Sequence, residues 1–166
     1  MIRNLIILDT RGRALLCANF GECHSLNDDT EMVSGFLSAI CSFVKILSTD
    51  GLDRIQLGGL RFMLKSWQDL IFAISADDED TEKHESILAK IGDLFFDIYD
   101  SLWLGINEEI DTAVFQDFPK YLVDHDLLKL NCGKYVECKG CPNRDNALPL
   151  REMSDELDSR SDLRFD

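Results

Sequence analysis

Three cysteines carry the strongest chemical signal in this chain of 166 residues. Cys132, Cys138 and Cys141 follow one another at x5 and x2 spacing, with Gly133, Gly140 and Pro142 among them. Two thiolates two residues apart can share one metal ion while a glycine lets the backbone turn. Zinc prefers four ligands in a tetrahedron, so a fourth must come from elsewhere. His125 is nearest in sequence and is the favoured fourth ligand; Cys23 and His24 are the alternatives. Zinc held this way would be structural, folding a segment too short to build its own core. Two other readings stand beside it. Cys141-Pro142 fits the end of a ferredoxin-type iron–sulfur run, although the full four-cysteine run is missing. The cysteines could also be plain thiols in a loop. A redox Cys-x-x-Cys belongs at a helix start after a strand, and the pattern here offers no such context.

The remaining reactive residues form no catalytic set. Cys23 and His24 are adjacent, and neighbours in sequence rarely act as nucleophile and base. Asp77-Asp78-Glu79-Asp80 lacks the ligand offsets and the glycine of a cation loop. Its charges suit the positive N-terminus of the helix that follows. His84 falls early on that helix, on what reads as a solvated face. No phosphate-binding glycine motif occurs, so the chain is not itself a GTPase. The expectation is a protein without catalytic activity.

Composition narrows the partners. The formal net charge is -14, from 31 acidic and 17 basic residues. A surface that must neutralise phosphates needs the opposite sign, so nucleic-acid binding is not expected. Docking on an anionic membrane by charge alone is equally disfavoured. No stretch approaches the roughly 18 apolar residues of a spanning helix, so direct membrane insertion is not expected. No signal peptide is legible, and Ile2 in place of glycine rules out N-myristoylation. The expectation is a cytoplasmic protein, at membranes only through partners, with its cysteines reduced, buried or metal-bound.

The elements that would position these residues begin at once. Ile2 to Leu8 and Arg13 to Phe20 flank Asp9-Thr10-Arg11-Gly12, a hairpin pattern. Asn27, Asp28 or Asp29 can cap a helix in which Met32, Phe36, Ile40, Phe43 and Leu47 recur at helical spacing. Gly35, Ser38, Ala39 and Ser42 lie among them and would let the helix sit close on a sheet. Arg54 to Leu57 opens a second strand group, with Gly58-Gly59 as a bulge or turn. Leu60, Phe62 and Leu64 alternate with Arg61, Met63 and Lys65 as a half-buried strand, and Leu70 to Ala76 is continuous enough for a central one. Ile87, Ile91, Leu94, Phe95, Ile98 and Leu102 form one face of a long helix, broadened by Leu88, Phe96, Tyr99 and Trp103. Asn107 would cap a short helix with Ile110, Val114 and Phe115. Pro119 would open another running to about Leu128. Trp67 at a turn and Trp103 at a helix end are core-edge residues or anchors of an interface.

This order of elements resembles the longin-like, or SNARE-like, family of small α+β domains. The opening Met1-Ile2-Arg3-Asn4-Leu5-Ile6-Ile7-Leu8, with its turn and Gly12-Arg13, is similar to the start of the small sigma-type chains of clathrin adaptor complexes. So are Leu60 to Leu64, Asp69 to Ile74 with the acidic loop and long helix after them, and Val114 to Asp124. The resemblance covers roughly residues 1 to 130, and the cysteine-rich tail departs from it. It implies a five-stranded, mainly antiparallel sheet in the order ββαβββαα. It also implies a platform that binds small GTPases, trafficking subunits, or another longin or roadblock domain. Residues 1–130 are then the domain, 131–143 a cysteine knuckle and 144–166 an acidic flexible tail. The first helix and the aromatic residues supply the candidate interface: Met32, Phe36, Phe43, Trp67 and Trp103. A homodimer is a further expectation, on the argument that one sheet face would otherwise stay open. The competing expectation is a zinc-dependent sensor or small metalloprotein built on the cysteines.

Overall fold

A computed structural model describes residues 2–9, 11–20, 30–47, 52–57, 60–76, 81–103 and 111–130. The fold is α+β. Strands β1 (Ile2–Asp9) and β2 (Ala14–Asn19) form the opening hairpin, and helix α1 (Thr30–Leu47) follows. Then come β3 (Arg54–Leu57), β4 (Leu60–Trp67), β5 (Leu70–Ala76) and the long helix α2 (Thr81–Trp103). A 3-10 turn (Thr112–Phe115) and a short helix α3 (Phe118–Asp124) complete the described chain. The five strands make one sheet in the order β2-β1-β5-β4-β3, with every neighbouring pair antiparallel. The apolar run Leu70–Ala76 is the central strand, as its composition demands.

Alternation along the strands divides the core in two. Ile6, Leu8, Phe62, Leu64, Ile71 and Ala73 pack on one face against Val33, Leu37 and Cys41 of α1. Leu5, Ile7, Met63, Phe72 and Ile74 pack on the other against α2, the 3-10 turn and α3. Every residue of β1 and of β5 is buried, because both faces of the sheet centre are covered. The open face that would call for a dimer is therefore absent among the described residues. Met63 is buried for the same reason; β4 is otherwise the half-buried strand expected, with Phe62 and Leu64 buried and Lys65 exposed.

Side chains on α2 explain the second core. Leu88, Ile91, Phe95 and Tyr99 are buried at spacings of three and four, on the face turned to the sheet. His84 continues that row and is only 2% exposed, so the expectation of a solvated histidine is wrong. Four residues before Leu88 is one helical turn, and that places the imidazole on the buried face. Gly92 lies against the indole of Trp67; a Cβ there would stand 3.0 Å from the ring. Trp67, Phe72, Phe95, Phe96, Tyr99, Phe115 and Phe118 form one connected set of aromatic contacts, with centroids 4.9 to 6.0 Å apart.

The chain end differs from the sequence reading in detail. Asp111 caps the 3-10 turn, its Oδ1 accepting from the Ala113 amide at 2.9 Å. Asn107, expected to cap, lies outside the described residues, as does Gly58-Gly59. Helix α3 has Pro119 in its first turn as expected, but it ends at Asp124 rather than near Leu128. The amides of both Leu127 and Leu128 turn back to the carbonyl of Leu122, and Asp126 takes a φ of 54°, which closes the helix. Among the described residues, no helix is long and apolar enough to cross a membrane.

Candidate protein-interaction surface

Helix α1 presents two unlike faces. Val33, Ser34, Leu37 and Cys41 are buried against the sheet. Beside that face, turned away from the sheet, Met32 is 50% exposed and Phe36 38%, a pair one turn apart. Gly35, Ala39 and Ser42 are also exposed, so the small residues do not mediate close packing on the sheet. A Cβ added to Gly35 would meet nothing within 4 Å. The close approach is made elsewhere, by Gly12 in the β1–β2 turn. Its φ is 92°, and a Cβ there would collide with the Ser38 hydroxyl and stand 2.8 Å from its Cβ. The hairpin turn therefore fixes the middle of α1, and α1 holds Met32 and Phe36 outward.

Asp9 shapes that turn. Its Oδ1 accepts from the amides of Arg11 and Arg13, each at 2.9 Å, while Oδ2 lies 3.2 Å from Arg13 Nε. The carboxylate is almost wholly buried, and two amides and a guanidinium offset the cost of its desolvation. A second polar group ties the sheet together at its other end. Asn4 is fully buried; its Nδ2 donates to Asn19 Oδ1 at 2.5 Å, and its Oδ1 accepts from Ser75 Oγ at 2.6 Å. One amide thus links β2, β1 and β5 side by side.

The other expected interface residues are placed differently. Phe43 belongs to α1 and Trp103 to the last turn of α2, but their side chains lie outside the described residues. Trp67 is half-buried, edge-on to Phe72, with the Lys65 ammonium 4.6 Å from its ring centroid. It is a core-edge residue, held between Phe72, Gly92 and the Lys65 side chain. Sequence reasoning missed Val114 and Tyr121, exposed beside the aromatic core at the end of the described chain.

Of the expected metal ligands, His125 is exposed at the C-terminal end of α3. Cys132, Cys138, Cys141, Cys23 and His24 lie outside the described residues. Among the described residues, no three histidine, cysteine or acidic side chains cluster to hold a metal ion. Cys41 is buried and Cys17 half-buried, each packed as a small apolar side chain in the α1-side core.

Among the described residues, Tyr99 carries a clear perturbation. Burial pushes the Tyr99 phenol above its ordinary value of 10.0, and the charges of Tyr121 and Asp117 add to this. It stands among Phe95, Phe115 and Phe118 and reads as core. Neither a set of protein-family models nor the curated proteins gave any match to this chain.

Proposed function

We propose that the protein is a noncatalytic interaction module of longin type, a subunit or regulator in a small-GTPase or vesicle-trafficking complex. The observation that carries this reading is the outward face of α1. Met32 and Phe36 stand exposed on a helix whose inner face is fully used by the sheet. An amphipathic helix with apolar residues outside its buried face calls for a second cover. The ββαβββαα order of a hairpin, a helix, three strands and further helices supports the family resemblance. A partner helix or a second small domain would lie along α1, over Met32 and Phe36. The partner is a small GTPase, another longin or roadblock domain, or a second copy of this chain.

A structural zinc belongs to the same proposal. Cys132, Cys138 and Cys141 would hold it with His125, whose exposed position just after α3 leaves its ring free to reach the following segment. The alternative, a zinc-dependent sensor or small metalloprotein, would need an open coordination position on that ion.

Native mass spectrometry after gentle lysis tests both parts. The expected spectrum holds a complex with a second small domain or a GTPase, and one zinc per chain that acid removes. Met32→Ser with Phe36→Ser should abolish the complex without unfolding the chain. A lone chain in wild type and variant alike would sink the interaction reading; a mass without metal would sink the zinc.

A further inference from the structure

We draw no further inference here: the strongest candidate, the cleft between β4 and the first turns of α2 walled by Asp53, Lys65 and Glu85, is a group of exposed charges beside which no second observation points to a ligand.

Discussion

Asn4, Asp9, Gly12 and Tyr99 each do something that an apolar residue could not. Asp9 and Asn4 are buried polar groups whose hydrogen bonds set register at the two ends of β1. A slip of one residue would orphan both and turn the apolar row Ile6, Leu8 to the wrong face. Tyr99 affects how stability depends on pH. The unfolded chain releases this proton near pH 10.0, and the folded chain at a higher pH. Between those values the unfolded state binds fewer protons, so stability falls as pH rises. The contribution is fully present below the unfolded value and is lost as pH climbs through the folded one. Tyr99→Phe should flatten the fall in urea midpoint between about pH 9 and about pH 11. Parallel slopes in the two proteins would refute this account.

At the scale of elements, the contact between the β1–β2 turn and α1 decides where the candidate interface points. Gly12 supplies both the left-handed φ and the room for Ser38. Gly12→Ala meets a strained backbone and a side-chain collision together, and should destabilise the chain by about 1–3 kcal/mol in urea unfolding. Ser38→Gly in the same chain should recover part of that loss, because it removes the collision and leaves the φ. No recovery would place the whole effect in the backbone. Met32 and Phe36 should become less protected from a solvent-borne covalent label only if the collision is what moves α1.

At the scale of the whole molecule, one aromatic ring joins most of the parts. Phe95 on α2 contacts Phe72 of β5, Phe115 of the 3-10 turn and Phe118 of α3, as well as Phe96 and Tyr99 of its own helix. The short C-terminal elements are too small to persist alone. Their order depends on this ring. Phe95→Ala should cost about 3–5 kcal/mol. Amide exchange should show residues 112–128 released before the sheet. Release of the whole domain in one step would mean that the two cores unfold as a single unit.

Sequence pattern alone determined the opening hairpin, the two α-helices of ordinary length, the central strand Leu70–Ala76 and the α+β class. Each rests on local periodicity, turn residues or a continuous apolar run, and these act within a few residues of chain. The same pattern could not say which side of α1 meets the sheet. Met32-Phe36 and Val33-Leu37-Cys41 are both apolar rows, one beside the other, and only the place of β1 and the Gly12–Ser38 contact chose between them. Nor could it show that both sheet faces are covered, which buries Met63 and His84 against expectation. Burial is a property of what lies across space from a residue. The chain's local chemistry settles the elements; their contacts settle which surfaces remain for a partner.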